Sequence, residues 1–366
     1  MPTFQYANPP TIHWGAGSVR ENLVAELDRL GARRVFLVTT RSALADTALA
    51  PSLETLLGDR LAGRAVIGQH APVLSVVEAL ETARAAKVDG LVSLGGGSPV
   101  DATKAVAFSL ATGIDLRLPD AQSRGRKASF AGILPHLAVP TTLSVAELSG
   151  SAGFSAEGTR AKIGVNAAAL RPAAVIYDAE LAVRTPLPLW LTTGIRAVDH
   201  AVETIFAPGD HPLPDLAAAD GLRRLRRGLK AAKARPDDPS ARTECQLGAW
   251  FSYLLPGPAA SGLSHTLGKK IGSANGIPHG VTSCLLLPHV LHFLAPRAPA
   301  AAKRVAEALE AEDAASGVAR LIGELGLPCR LGDYGLSETQ LEAAARAASS
   351  EEHSEADLLG ILRAAR

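Results

Sequence analysis

The chain has 366 residues, of which 47% are hydrophobic and 20% are charged. This length exceeds one ordinary core and predicts about two domains, while the composition excludes an extensively disordered protein. With 37 Lys and Arg against 36 Asp and Glu, the formal net charge is +1. A net charge this small does not attract the chain to nucleic acid or to an acidic membrane surface. No uninterrupted apolar run reaches the roughly 18 residues that a membrane span requires.

The three cysteines, Cys245, Cys284 and Cys329, are far apart and form no CxxC pair. This usage is typical of reduced thiols in a cytoplasm rather than of a disulfide framework or a structural zinc site. The opening stretch MPTFQYANPPTIHWGAG has no basic lead before an apolar run, so no signal peptide is expected. We therefore expect a cytoplasmic protein.

In the first half of the chain, predicted strands alternate with predicted helices. Apolar runs predict strands within 33–40, 88–97, 132–142 and 173–182, and helical periodicity predicts helices at 74–87 and 98–111. Such alternation predicts a mostly parallel sheet that is covered on both faces. We therefore assign residues 1–182 to a Rossmann-like α/β domain. The polar stretch 114–130 is predicted to be a loop.

The second half consists of proline-bounded segments that are rich in Ala and Leu at helical spacing. The predicted helical segments are 188–206, 213–234, 241–254, 299–324 and 337–347. Because no strand is evident among them, we predict an all-helical catalytic domain at 183–366. The basic run 223–235 belongs to an amphipathic helix with a solvated charged face, since Leu222, Leu225 and Leu229 recur in it at helical spacing.

The stretch LVSLGGGSPVDATKA, residues 91–105, places three glycines between a predicted strand and a predicted helix. Consecutive glycines let backbone N–H groups approach a ligand, and a helix N-terminus adds partial positive charge. Ser98 either caps this helix or donates to a phosphate, and Asp101 either stabilises the helix dipole or binds a ribose or nicotinamide. The pattern indicates a phosphate cradle or, alternatively, a tight turn without a ligand; it is neither GxGxxG nor a Walker loop.

These residues closely resemble the signature of the iron-containing (group III) alcohol dehydrogenase family, which is related to dehydroquinate synthase. Residues 139–150, 162–181 and 262–280 resemble further segments of that family, in the same order. The opening of the chain and the loop length in 139–150 are closest in pattern to maleylacetate reductases. The resemblance implies a dehydroquinate-synthase-like fold with NAD or NADP in a cleft between an α/β domain and a helical domain.

The resemblance also implies which residues bind the cofactor. Those implied to hold its pyrophosphate are Gly95, Gly96, Gly97 and Ser98. Those implied to line the ribose and nicotinamide or to face the cofactor are Asp101, Thr141, Thr142, Lys162 and Leu181. After the strand at 33–40, Thr40 stands where an acidic residue often selects NAD, and Arg41 follows it. Arg41 either pairs with a 2′-phosphate or is an ordinary surface residue, so NAD and NADP both stay open.

The family's metal site, as the resemblance implies it, takes an Asp and a His four residues apart and then two His fourteen residues apart. The three histidines map to His200, His265 and His279, but the aspartate position is Arg196. A guanidinium offers no lone pair and repels a cation. Asp199 is about 100° round the helix from His200, so we do not expect it to replace the missing ligand. We therefore expect no tightly bound iron or zinc; if a metal binds, the three histidines hold it.

Lys269 stands four residues after His265, where metal-dependent members place a further histidine. Arg196 and Lys269 either supply positive charge to a carbonyl oxygen in place of a metal or hold a substrate carboxylate. One of the three histidines would then donate the proton to the developing alkoxide. In the structural alternative the histidines belong to a core, and Arg196 pairs with Glu203 or Asp199 without touching a ligand.

The leading hypothesis is an NAD(P)-dependent reductase of a small carbonyl compound, most favoured as a short oxo acid such as maleylacetate, that works without a catalytic metal. The second is a metal-dependent alcohol dehydrogenase of the same family, with iron or zinc. The third is a nucleotide-binding protein that has lost catalysis. A lyase related to dehydroquinate synthase would need an intact metal site. From the family we expect a homodimer.

Overall fold

The computed structural model describes residues 4–118, 120–156, 162–255 and 261–366. The chain divides into two compact units, one of Ala7–Thr185 and one of Pro186–Arg366 with the residues up to Tyr6. The predicted boundary after residue 182 lies close to this division. Across the described ranges, no helix is both long enough and apolar enough to cross a membrane.

The first unit is built on a six-stranded sheet in which all neighbouring strands are parallel, in the order β1-β8-β5-β4-β2-β3. Its strands are β1 (Ile12–Gly15), β2 (Val35–Thr39), β3 (Leu61–Val66), β4 (Gly90–Gly95), β5 (His136–Pro140) and β8 (Ala174–Asp178). The predicted α/β fold with a mostly parallel sheet is therefore confirmed. The four predicted strands correspond to β2, β4, β5 and β8, whereas β1 and β3 were not predicted.

Helices cover the sheet on both faces. They are α1 (Ser18–Arg29), α2 (Arg41–Ala45), α3 (Ala50–Leu57), α4 (Val73–Ala85), α5 (Gly97–Thr112), α6 (Ala121–Gly125) and α7 (Ala179–Ala182). Within β2, Phe36 and Val38 belong to one core while Val35 and Leu37 belong to the other. Successive side chains of a strand point to opposite faces, so a strand buried on both faces has a continuous apolar run.

A second, two-stranded sheet was not predicted. It pairs β6 (Ser151–Ser155) with β7 (Lys162–Asn166) in antiparallel register. Its strands contain glycines and small residues rather than a strict alternation of polar and apolar residues, which is why the sequence pattern does not show them. The short helix α6 likewise lies in the stretch predicted to be a loop.

The second unit confirms the predicted helical part of the chain, since its described residues form helices and no strands. Its α-helices are α8 (Leu187–Phe206), α9 (Pro212–Ala234), α10 (Pro239–Phe251), α11 (Leu263–Asn275), α12 (His279–Leu294), α13 (Pro299–Leu309), α14 (Ala314–Leu325), α15 (Glu338–Ala348) and α16 (Glu355–Ala364). Leu222, Leu225 and Leu229 of α9 are fully buried, as the amphipathic prediction requires.

The strand order of the parallel sheet creates a switch point between β2 and β4. After β2 the chain moves outward to β3, and after β4 it moves the opposite way to β5. In open parallel sheets, ligands bind in the crevice at the carboxyl ends of strands where the order reverses. The residues that follow β2 and β4 are Thr40 and the glycine run, so the fold places both at this crevice.

Candidate functional site

The glycine turn after β4 is closely surrounded, and its residues have no room for side chains. Gly95 has φ of 138°, a conformation that favours glycine. A Cβ on Gly96 would lie 3.1 Å from Thr142 Cγ2, and a Cβ on Gly97 would lie 3.3 Å from Ser144 Oγ. Helix α5 begins at Gly97, and no side chain caps it. The turn thus exposes backbone donors at the N-terminus of a long helix, the arrangement that binds phosphate groups.

Two hydroxyl groups face this turn without a hydrogen-bond partner among the described residues. Thr142 Oγ1 and Ser144 Oγ are both buried atoms, and neither has an acceptor or a donor in reach. A buried hydroxyl without a partner costs about 1–3 kcal/mol, which a ligand's acceptor would recover. Sequence analysis missed Ser144. The available signal was a third hydroxyl residue, after Thr141 and Thr142, in the loop that follows β5, the strand that pairs with β4.

Ser98 and Asp101 have partners within the protein. Ser98 Oγ accepts a hydrogen bond from the His70 N–H at 3.1 Å, so its own proton points elsewhere. Asp101 Oδ2 accepts from the Gly153 N–H in β6 at 3.2 Å, and Oδ1 lies 3.6 Å from Lys104 Nζ. Asp101 therefore attaches α5 to the hairpin, a contact that sequence analysis did not consider. Its predicted bond to the ribose or nicotinamide remains a prediction.

Of the two residues after β2, Thr40 lies near the glycine turn. Thr40 Cγ2 is 3.6 Å from the position of a Cβ on Gly95, and Thr40 Oγ1 caps α2 by accepting from the Ala43 N–H at 3.2 Å. Arg41 follows as the exposed first residue of α2. Neither residue repels a 2′-phosphate.

The remaining predicted cofactor residues have separate surroundings. Thr141 is buried, and its N–H donates to the Gly95 carbonyl at 2.9 Å, which joins the two loops. Leu181 packs against the hydrophobic core beneath the sheet. The backbone of Lys162 begins β7, but the predicted role of its side chain lies outside the described residues.

Buried ionisable groups hold the loop that carries Ser144. Lys104 Nζ donates to the carbonyls of Ala146 at 2.5 Å and Ser151 at 2.7 Å. Glu147 Oε1 accepts from the Tyr177 hydroxyl at 2.8 Å. Burial lowers the pKa of Lys104 and raises the pKa of Glu147. The loop is thus attached to both α5 and β8.

A second cluster lies in the helical unit, where α8 and α11 bring His200 and His265 together. Both histidines are buried, and their Nε2 atoms are 3.4 Å apart. The ring of His200 also stands edge-on to Tyr253, with ring centroids 4.8 Å apart. Two of the three predicted histidines are therefore neighbours.

Two carboxylates of α8 complete the cluster. Glu203 Oε2 lies 2.6 Å from His265 Nδ1, away from the direction of a linear ring hydrogen bond, and Asp199 Oδ2 lies 3.5 Å from the same nitrogen. Asp199 Oδ2 accepts from the hydroxyls of Ser264 at 2.9 Å and Ser283 at 2.6 Å. Asp199 joins the cluster through His265 of another helix.

Burial opposes charge on Asp199, Glu203 and His265. It raises the pKa of Asp199 to about 6 and that of Glu203 to about 7. Burial, with the nearby Arg196 charge, lowers the pKa of His265 to about 3. His265 is therefore neutral at pH 7, with one ring nitrogen that carries a proton and one that does not.

Arg196 and Lys269 are the cations beside this cluster. Arg196 is partly buried, and Nη1 donates to Ser283 Oγ at 3.4 Å. Ser283 thus stands between Arg196 and Asp199, instead of the direct ion pair that was considered. Lys269 is exposed; burial of its stem, followed by the Arg196 charge, lowers its pKa, whereas Glu203 raises it. A guanidinium has five N–H donors, and the hydrogen bond to Ser283 uses one of those that Arg196 offers.

His279 is the first residue of α12 and is partly exposed. Its Nδ1 lies 4.0 Å from the position of a Cβ on Gly272 in α11. The direct contacts described above join His200 to His265 and do not include His279. Its membership of the cluster stays a prediction.

Comparison with known families gives matches in both units. The sequence model described as iron-containing alcohol dehydrogenase matches residues 9–179. The model described as Fe-containing alcohol dehydrogenase family, C-terminal, matches residues 190–358. The maleylacetate reductase of Burkholderia cepacia is 32% identical over 342 residues, which cover 93% of this chain and 89% of that protein.

Solved structures agree with these matches. The maleylacetate reductase of Agrobacterium tumefaciens has a TM-score of 0.84 and 28% identity, covering 100% of this chain and 98% of its own. A putative alcohol dehydrogenase of Ralstonia eutropha JMP134 has a TM-score of 0.85 and 30% identity, with coverage of 100% and 98%.

Proposed function

This chain belongs to the iron-containing alcohol dehydrogenase family and is an NAD(P)-dependent oxidoreductase, and from that premise we propose that it reduces a short oxo acid such as maleylacetate without a catalytic metal. Relatives named maleylacetate reductase support the substrate class. The observation on which the proposal mainly rests is Arg196, a partly buried guanidinium beside two histidines, at the position of a metal-binding aspartate.

The first unit fits a dinucleotide. Backbone N–H groups of Gly95–Gly97 and the hydroxyl of Ser98 would hold the pyrophosphate, and the unpartnered hydroxyls of Thr142 and Ser144 would donate to the cofactor. Because Thr40 and Arg41 leave a 2′-phosphate unopposed, we propose that NADH and NADPH both serve.

The second unit supplies charge and a proton acceptor or donor. The bound reduced nicotinamide supplies the hydride. Arg196 and Lys269 would draw electron density toward the carbonyl oxygen or hold the carboxylate of the substrate. One of His200, His265 and His279 would donate the proton that converts the carbonyl oxygen into a hydroxyl.

The residues at the family's metal position do not fit a divalent cation. A guanidinium there brings positive charge and no lone pair. The carboxylate oxygens of Glu203 and Asp199 Oδ2 already accept hydrogen bonds from Gly262, His265, Ser264 and Ser283.

A metal-dependent enzyme remains the second candidate because of one specific arrangement. Ligand atoms of Asp199, Glu203 and His265 lie within 4.8 Å of one another. Asp199 Oδ1 is buried and has no hydrogen-bond partner within the described ranges. A cation placed there would have to compete with the donors that already occupy the other oxygens.

An activity assay with and without chelation tests the proposal. Full-length protein would be treated with a chelator, its metal content measured, and oxidation of NADH and NADPH followed with maleylacetate, other short oxo acids, neutral ketones and aldehydes. We expect oxo-acid reduction to persist within about twofold after chelation. We expect kcat/KM for neutral carbonyls to be at least about tenfold lower, since they lack the charged hydrogen bond.

Other outcomes identify the alternatives. Loss of activity with the chelator, restored by iron or zinc, would establish the metal-dependent enzyme. Cofactor binding without turnover of any carbonyl would indicate a protein that has lost catalysis. The homodimer expected from the family is also a proposal, and light scattering on the same sample tests it.

A further inference from the structure

Glu203 reaches from α8 to the start of α11. It follows Arg196 by seven residues and His200 by three, so the three share one face of α8. Glu203 Oε2 accepts from the Gly262 N–H at 2.6 Å, and Oε1 accepts from the His265 N–H at 2.9 Å. No side chain at the N-cap of α11 bonds to its first turn. A carboxylate from the neighbouring helix thus satisfies donors that helix ends leave free.

The same carboxylate also contacts the ring of His265. Oε2 lies 2.6 Å from Nδ1, while Nε2, across the ring, faces Nε2 of His200 at 3.4 Å. One group therefore contacts both the backbone and the imidazole of His265. An ordinary helix cap would fix only the backbone.

Gly262 makes this contact possible. A Cβ at residue 262 would lie 3.1 Å from Glu203 Cδ and 3.2 Å from both Cγ and Oε1. These distances are tighter than ordinary van der Waals contact, so any side chain there would displace the carboxylate. The absence of a side chain at Gly262 therefore leaves the space that the Glu203 carboxylate occupies.

From this geometry we propose that Glu203 is a positioning residue, which holds the imidazole of His265 in the orientation in which its Nε2 faces His200, so that a proton can reach the substrate through His200. The inference rests on the proposed function, because it assigns His265 to the reacting site. It goes beyond that function in naming the group that orients the histidine. A catalytic ring displaced by about 1 Å can cost on the order of a hundredfold in rate.

Glu203→Gln in the full chain tests the role. Glutamine keeps one acceptor oxygen but places an amide donor where the second oxygen accepted. We expect kcat for the oxo acid to fall about tenfold to a hundredfold. We expect the Kd for NADH to change by less than about twofold, since no predicted cofactor residue is altered.

Asp313→Ala is the matched control for loss of a cap. Asp313 caps α14 in the same unit by accepting from the Ser316 N–H at 2.9 Å, and it contacts no histidine of the cluster. Both variants should lower Tm, because a lost cap costs about 1 kcal/mol, but only Glu203→Gln should lower kcat. If Glu203→Gln lowers Tm as Asp313→Ala does and leaves kcat unchanged, Glu203 is only a cap and the proposal is overturned.

Gly262→Ala tests the same contact from the other side. It should reproduce the kinetic defect, and the double variant should be no worse than the more severe single variant, since both changes remove one contact. Fully additive defects would contradict a shared role.

The imidazole resonances of histidine-labelled protein give a readout that does not require turnover. His265→Asn assigns the His265 signal, which we expect to shift and broaden in Glu203→Gln and to stay unchanged in Asp313→Ala. An unchanged signal in Glu203→Gln overturns the positioning role even if no oxo acid is a substrate. Conversely, a shifted signal in a chain that reduces no oxo acid refutes the proposed function and leaves the orienting contact established.

Discussion

The glycine turn of the α/β unit and the histidine cluster of the helical unit treat buried polar groups in opposite ways. Around the turn, the hydroxyls of Thr142 and Ser144 have no partners. In the cluster, Glu203 accepts two backbone hydrogen bonds and also contacts His265. An unpartnered hydroxyl costs about 1–3 kcal/mol, whereas an unpaired buried charge costs several times more. Neutral donors can therefore await a ligand, while buried charges must be partnered beforehand.

Arg196 is the exception to this contrast, and changing it should have the largest effect. It is a cation of the cluster whose only hydrogen bond described above is the one to Ser283. Arg196→Met should lower kcat/KM for the oxo acid by about 10²–10³, the cost of removing one preorganised donor, with an unchanged Kd for NADH. Steady-state kinetics and cofactor titration measure the two quantities. Arg223→Met, on the exposed face of α9, is the control and should change neither.

Arg196→Asp sharpens the test further. Without added metal it should lose as much activity as Arg196→Met. If it gains a metal ion and keeps its activity, Arg196 merely stands in place of a metal ligand, and its positive charge has no role in catalysis or substrate binding.

The α/β unit also buries a titratable histidine, His136, which burial keeps neutral as it does His265. His136 in β5 lies 2.8 Å from Ser93 Oγ, and burial followed by the Lys104 charge lowers its pKa to about 3. The folded pKa is below the unfolded value of about 6.5, so this contribution is present above pH 6.5 and is lost as the pH falls toward 3. Between pH 7 and pH 5 it should remove about 2 kcal/mol from the free energy of unfolding.

Urea unfolding of His136→Gln at pH 7 and pH 5 measures the contribution of His136 to the pH dependence of the free energy of unfolding. The variant should lose about 2 kcal/mol less than the unaltered chain over that interval. His292→Gln, at an exposed position of α12, should retain the original dependence. Equal pH dependence in His136→Gln and the unaltered chain would show that the buried ring does not resist protonation.

The smallest expected effect concerns Ser144. Ser144→Ala should raise the Kd for NADH about tenfold, the value of one hydrogen bond to a charged group, while kcat at saturating cofactor stays the same. The Tm of the cofactor-free protein should not fall, because the removed hydroxyl has no partner. Ser52→Ala removes an exposed hydroxyl of α3 that bonds to helix carbonyls, and should leave the Kd unchanged. An unchanged Kd in Ser144→Ala would show that the Ser144 hydroxyl does not bind the cofactor.

Local sequence pattern predicted the features that depend on neighbours along the chain. The run at 95–97 marked the strand–helix turn, where Gly95 adopts a backbone conformation that favours glycine, and periodicity marked several helices of the second unit. The hairpin β6–β7 lacked such a pattern. Ser144 was missed because an unpartnered hydroxyl is defined by distant residues, here Gly97 and its neighbours.

The cluster shows the same limit. Spacing on α8 predicted that Asp199 points away from His200, yet it could not show that His265 of α11 approaches Asp199. Helical spacing also placed Glu203 on the face of Arg196 and His200, but only the tertiary structure shows its contacts with Gly262 and His265.

Glu203 and Gly262 each limit the substitutions that the other position can accept during evolution. A side chain added at residue 262 would lie so close to the Glu203 carboxylate that the carboxylate would have to shift. Shortening residue 203 first removes the acceptors from the start of α11. Whichever of the two residues is substituted first, the contact between them is disturbed. The pair is therefore expected to persist or to be replaced together, although 59 positions separate the two residues.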